Sequence, residues 1–438
     1  MVDILPFRGV RYDPAQAGAK LEDLAAPPYD VISPDEQDAL YTKHPANVVR
    51  LILGRDPDKY AQAASLFREW LASGVLAADD TPSFYVCRQT FEDPATGQPV
   101  PERLGLVCLL KLEDYSTGQV LPHEKTLSAP KADRLELLRA TNAQFESIYG
   151  LFSDPDGAVR SFILEYDDRE TVIERVDGLL GSTHKIERLA DSDGQAVLRE
   201  LMSDKAVFIA DGHHRYETAL NYQREARAAQ PGGSPRAADY ILVTLTAFED
   251  EGLLVLPTHR MVRNVPAEQA AALTAALAEN FTLSPSRAET IEAEIADQAK
   301  SGNTAFGIVL PPGAVQLAVL NAAPAADAAA VHRLPVSQLE ALVLDGCLGI
   351  SPEMVTAGEH VSYTRDLAEA VSAVAQGDAQ AAFLLGRPTV NEIRDVSLAG
   401  DVMPQKSTFF YPKLLSGLVL RDLILDQADF DAGAGEAF

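Results

Sequence analysis

The stretch AVFIADGHHRYETALNYQREARAA, residues 206–229, changes its hydrophobic period at a single glycine. Before Gly212 the run Val207, Phe208, Ile209 has the β-branched and aromatic make-up of a buried strand, and after it helix formers take over within two or three positions. A strand must therefore turn directly into a helix, which commits the chain to sheets with helices packed on them. Strand-like and helix-like segments alternate elsewhere without a regular βαβ period, so the predicted class is α+β (mixed α/β) rather than a doubly wound sheet.

Along the chain, Ser33, Pro34 and Glu36 have the spacing of a capping box that starts a helix after the fixed loop Pro27 to Ile32. Residues 60–76 carry apolar positions at helical spacing with Gly74 as a stop, which places Trp70 in a core. SFYVCRQTF and RLGLVCLLKL read as strands joined by a turn-rich connection. RLELLRATNAQF (134–145) reads as a long helix after a loop that contains LPHEKT, and residues 230–238 read as an exposed loop. Past residue 262 the composition becomes alanine-rich. The expected organisation is a first domain over 1–262, a second α/β domain over 263–425 whose last segment packs back, and a disordered tail over 426–438.

At 438 residues and 47% apolar content the chain can build two ordinary cores. Its 64 acidic and 37 basic residues leave a formal charge of -27, which argues against nucleic-acid and membrane-surface partners and requires any anion to be held by a local site. Three cysteines without CxxC spacing argue against a disulfide framework or a zinc ribbon. With no stretch of membrane-spanning length and no signal-like start, a soluble cytoplasmic protein is expected.

Four constellations carry chemistry. Amides at a helix start attract anions, so Gly212, His214 and Arg215 form a candidate phosphate cradle, with His213 and Asp211 as candidates for orienting a reacting oxygen. The plainer alternative has one histidine capping the helix and Arg215 paired with Glu217. Adjacent histidines on a turn point apart, so no zinc is expected. In LPHEKT, Glu124 is a candidate general base or magnesium ligand, together with Asp211, and His123 and Lys125 are candidate phosphate donors. His259 and Arg260 follow an apolar run, and Lys406, Ser407, Thr408 and Lys413 group donors around Phe409, Phe410 and Tyr411. No P-loop, GxSxG elbow or Rossmann fingerprint is present. The concentration of histidine and arginine at element ends, in a chain with 8 histidines, favours one shared anion site.

APPYDVIS, HPANVVRLILG, LPHEKTLSAPKADRLELLRAT, FIADGHHRYETAL, PTHRMV and MPQKSTFFYPKLLSGL together resemble the bacterial domain-of-unknown-function family numbered one thousand and fifteen, from about residue 5 to residue 422. That family is grouped with the ParB/sulfiredoxin-like superfamily, which includes free serine kinases. The resemblance implies a phosphate-binding turn, since Gly212-His213-His214-Arg215 is similar to the Gly-Cys-His-Arg of sulfiredoxin. His213 stands at the place of the reactive cysteine, which speaks against thiol chemistry. The implied activity is phosphoryl exchange at serine or phosphoserine in serine metabolism, as a phosphatase or a kinase, with ADP or ATP and magnesium as cofactors. A nucleotide-binding regulatory protein without chemistry is the alternative.

Overall fold

Alternate residues of Arg103–Lys111 enter two different cores: Leu106, Cys108 and Leu110 face one, Val107 and Leu109 the other. A near-continuous apolar run with this period of two is what a strand covered on both faces requires. The computed structural model describes residues 1–126, 128–166, 170–229, 236–325 and 327–431. Its chain is α+β, and it divides into two compact units. Residues Met1–Pro122, Thr126–Leu254 and the chain from Pro412 onward make the first; His123–Lys125 and Val255–Tyr411 make the second.

The first unit is built on a nine-stranded mixed sheet. Its strands are β1 (Ile4–Leu5), β2 (Phe84–Phe91), β3 (Arg103–Lys111), β4 (Val120–Leu121), β5 (Ile148–Phe152), β6 (Glu170–Leu179), β7 (Ser182–Leu189), β8 (Val207–Asp211) and β9 (Tyr240–Ala247). They lie in the order β4-β8-β5-β9-β3-β2-β7-β6, with β1 beside β3. Only the pairs β4/β8 and β5/β9 are parallel, the rest being antiparallel. Helix α1 (Lys59–Ala72) buries Ala63, Phe67 and Trp70, the spacing of one helical face, against one side. On the other, α3 (His213–Ala229) buries Tyr216, Ala219 and Leu220. Between them in sequence runs α2 (Ser128–Thr141), which starts earlier than expected and ends where Asn142 adopts a left-handed φ of 48°. The expected capping box is present: Glu36 N–H donates to Ser33 Oγ at 3.3 Å and Ser33 N–H to Glu36 Oε2 at 2.8 Å.

The second unit holds a six-stranded antiparallel sheet: β10 (His259–Val262), β11 (Phe281–Pro285), β12 (Ala305–Leu310), β13 (Ala314–Leu320), β14 (Val361–Thr364) and β15 (Ala381–Leu384), ordered β11-β13-β12-β15-β10-β14. The chain passes into this unit at Val255, ahead of the expected boundary at 262, because His259–Val262 hydrogen-bonds between β14 and β15. Among the described residues no helix is long and apolar enough to cross a membrane.

The tail expected to be disordered from 426 is helical over Leu423–Asp431. Its Asp426 is buried and accepts from Arg421 Nε at 2.6 Å, so a charged, small-residue composition was a poor guide to order here. Residues 432–438, and 230–235 of the expected exposed loop, lie outside the described residues. Arg421 is fully buried and also donates to Gln144 Oε1 and to the carbonyls of Tyr240 and Ala237. Replacing it with methionine strands the Asp426 carboxylate, so Arg421→Met is expected to cost about 3–5 kcal/mol in urea unfolding. The double variant Arg421→Met/Asp426→Leu is expected to recover most of that loss, because no buried charge is left behind.

Candidate functional site

At the end of β8 the chain must leave a strand and enter α3 within one residue, and Gly212 does this at φ +92°. A Cβ there would stand 2.8 Å from Ile148 Cγ2 and 3.0 Å from Arg215 Nη2. The missing side chain therefore makes room for the guanidinium of Arg215. Arg215 reaches back over the turn, donating from Nη1 to Ser147 O at 2.7 Å and from Nη2 to Asp211 Oδ2 at 3.0 Å. The other oxygen of Asp211 accepts from Lys413 Nζ.

Two cations thus meet on one carboxylate at the N-terminus of a 17-residue helix, where the backbone contributes further positive potential. The side chains of Arg215 and Lys413 are 13% and 10% exposed, which limits screening by water. Burial alone would raise the Asp211 carboxyl; Lys413 and Arg215 override it and hold the group below the usual carboxylate range. Burial works against the Arg215 charge, and Glu146, Asp211 and Asp30 more than offset it, so the guanidinium is more basic than usual. Glu146 is itself fixed, accepting from Tyr29 N–H at 3.0 Å and Ser416 Oγ at 2.9 Å. Beside the turn a cavity of about 60 Å³ opens between Arg134, Glu146, Arg215, Thr218 and Leu137, space on the scale of a few water molecules.

Of the residues singled out in the sequence, Asp211, Gly212, His213, His214 and Arg215 share this turn. His213 is buried and His214 half-buried. Lys413 lies with them in the first unit, and the others fall in the second. There His123, buried, lies 2.9 Å from Thr408 Oγ1 through its Nε2 and edge-on to Phe410, while its carbonyl accepts from Met403 N–H. Glu124 Oε1 accepts the Lys406 amide at 2.9 Å, and Ser407 Oγ donates to Pro404 O. Lys125 and Lys406 are exposed, Lys406 with φ +57°. His259 is buried; its Nδ1 accepts from Leu385 N–H at 3.2 Å, which leaves the proton on Nε2. Burial and the neighbouring Arg260 push it down to about 4, so it stays neutral near pH 7. The residues of the expected anion site thus fall into two groups, one within each unit.

Sequence reasoning included Lys413 in a basic cluster but missed its bond to Asp211, and it missed Glu146 and Asp30 as the carboxylates around Arg215. Motif spacing carries no signal for a pair 202 positions apart. The donors at Asp211 do not suit a resident magnesium ion, because both carboxylate oxygens already face cations. Among the described residues no group of three or more His, Cys, Asp and Glu gathers to hold a metal.

Gly212→Ala is expected to destabilise the first unit by at least about 1 kcal/mol, read as a lower urea midpoint, since it combines a left-handed φ with a clash. A lowered carboxyl contributes stability above its unfolded pKa, roughly pH 4, and loses it as pH falls through the folded value. Lys413→Met brings the Asp211 carboxyl back toward its ordinary range, so the acid-unfolding midpoint, followed by circular dichroism, is expected to move to higher pH.

No curated protein matches the chain. Among solved structures it is similar to a free serine kinase in complex with AMP, at 13% identity over 70% of this chain and 86% of that one, with a TM-score of 0.36. It is also similar to a conserved hypothetical protein from Pyrococcus furiosus, at 14% identity over 73% and 97% with a TM-score of 0.37. A third structure, SbnI with C-terminal truncation from Staphylococcus aureus, has 12% identity over 75% and 93%, with a TM-score of 0.37. The family model described as Protein of unknown function (DUF1015) matches residues 4–341, and the chain belongs to that family.

Proposed function

We propose that this protein is a phosphoryl-transfer enzyme that holds a phosphate group at the start of α3 and exchanges it at the hydroxyl of serine or phosphoserine, with ADP or ATP as the nucleotide. One observation carries the reading: Arg215 and Lys413 converge on the single carboxylate of Asp211 at the N-terminus of α3. A phosphate dianion has the charge and the acceptor geometry for that place, with Arg215 as the bidentate donor and the helix amides behind it. The motif likeness of Gly212-His213-His214-Arg215 to the sulfiredoxin-like turn supports it.

Phosphoryl transfer needs positioning and charge stabilisation more than covalent help, and a desolvated pair of cations supplies the second. In the kinase direction the serine hydroxyl loses its proton and takes the terminal phosphoryl group of ATP, releasing ADP. In the phosphatase direction water takes that group from phosphoserine, releasing serine. Glu124 is the base in this reading, since Asp211 is neutralised by two cations. That neutralisation also favours a second reading, a nucleotide-binding protein without chemistry.

The test incubates the protein with phosphoserine, with and without ADP and magnesium, and follows serine, phosphate and ATP. ADP-dependent ATP identifies a reversible kinase, and ADP-independent phosphate a phosphatase. If neither forms while AMP still binds, the non-catalytic reading holds. Arg215→Lys keeps the charge but removes the fork, and it is expected to weaken AMP binding in calorimetry by roughly 10-fold or more. Glu124→Gln is expected to abolish turnover and leave AMP binding unchanged.

A further inference from the structure

In the second unit a guanidinium stands without a bonded carboxylate among the described residues. Arg260, in β10, is fully excluded from solvent and makes no ion pair among the described residues. Its Nη1 donates to Thr258 O at 2.5 Å and its Nη2 makes a long 3.4 Å contact with Gln405 O. Its Nε, also buried, has no hydrogen-bond partner. A buried guanidinium held only by carbonyls is expensive to maintain, and chains normally neutralise such a charge with a bonded carboxylate.

Carboxylates are near, yet neither bonds to it. Glu340 and Glu124 both lie in electrostatic reach of Arg260, and the ring of Tyr363 lies 5.5 Å from its guanidinium carbon. Glu340 is half-buried, with no hydrogen bond or ion pair among the described residues, and it stands in a π-helical turn, Leu339–Asp345. Such turns are frequent at functional sites. Burial raises the Glu340 carboxyl and the charge of Arg260 opposes that rise, so a cation brought to it would be welcome. The paired features are thus a desolvated cation with donors to spare and a partly desolvated anion, in one unit, in electrostatic reach but with no hydrogen bond or ion pair between them.

We propose that Arg260 and Glu340 form the binding site of a free α-amino acid, Arg260 taking its carboxylate and Glu340 its ammonium group. This rests on the phosphoryl-transfer reading and deepens its substrate class to a free amino acid. The incoming carboxylate replaces the long contact to Gln405 O and supplies the two-oxygen partner that a guanidinium fork matches best. A ligand with only one of the two charges leaves the other protein group uncompensated, so recognition depends on the zwitterion.

The test is calorimetry on the full chain with four probes: L-serine, 3-hydroxypropanoate, which lacks the ammonium, ethanolamine, which lacks the carboxylate, and AMP. L-serine is expected to bind, and each truncated analogue to bind about 10-fold or more weakly. Arg260→Gln endangers the core, so the decisive variant is Glu340→Gln, at a half-exposed position without hydrogen bonds. It is expected to weaken L-serine by about 10-fold and leave AMP unchanged. L-serine binding that is absent, or equal in Glu340→Gln and the parent, overturns the assignment; so does 3-hydroxypropanoate binding as well as L-serine. Loss of AMP binding by the parent chain, with L-serine still bound, overturns the phosphate-site reading alone.

Discussion

Everything at the α3 turn depends on how the chain from Pro412 onward is held in the first unit, and the fully buried Arg421 is the central fastening. Its guanidinium gives hydrogens to Asp426, Gln144 and the carbonyls of Tyr240 and Ala237, joining the helix Leu423–Asp431 to β9 and to the segment after α2. Upstream, Ser416 and Ala26 exchange backbone hydrogen bonds, and Val10 and Leu420 do the same. Arg103, also buried, donates to Pro412 O at 2.6 Å. With both ends of residues 412–421 fixed, Lys413 is delivered to Asp211.

The two buried arginines of interest illustrate opposite ways of keeping a charge inside a protein. Arg215 is surrounded by the carboxylates of Asp211, Glu146 and Asp30 and becomes more basic than in water. Arg260 has carbonyls for bonded neighbours, and burial lowers it. Compensation by nearby carboxylates keeps the first guanidinium charged at little cost, and its weakness leaves the second with a preference for a partner. Asp211, a candidate from its motif for a magnesium ligand or for orienting a reacting oxygen, has both carboxylate oxygens engaged by Arg215 and Lys413.

The Ser33 capping box, the buried face of α1 with Trp70, the strands through Arg103–Lys111 and the strand-to-helix change at Gly212 were all legible, because caps, periods and left-handed turns are encoded by neighbours a few positions apart. The helix Leu423–Asp431 was misread for the complementary reason. Its local composition favours disorder, and the partner that orders it is the side chain of Arg421 packed under β9. Likewise Glu340 carried no motif at all, and its interest comes from the guanidinium it faces across 80 residues of sequence.

By itself, the sequence determined the α+β class, the place of the α3 turn and the residue types that crowd its start, since each follows from local periodicity and from glycine's access to positive φ. Tertiary structure alone decided that the space left at Gly212 takes the Arg215 guanidinium, that Lys413 is the second cation on Asp211, and that Arg260 makes no ion pair among the described residues. The physical reason is that charge compensation is settled by what lies within a few ångströms in space. For these groups the relevant neighbours are tens to hundreds of residues away along the chain.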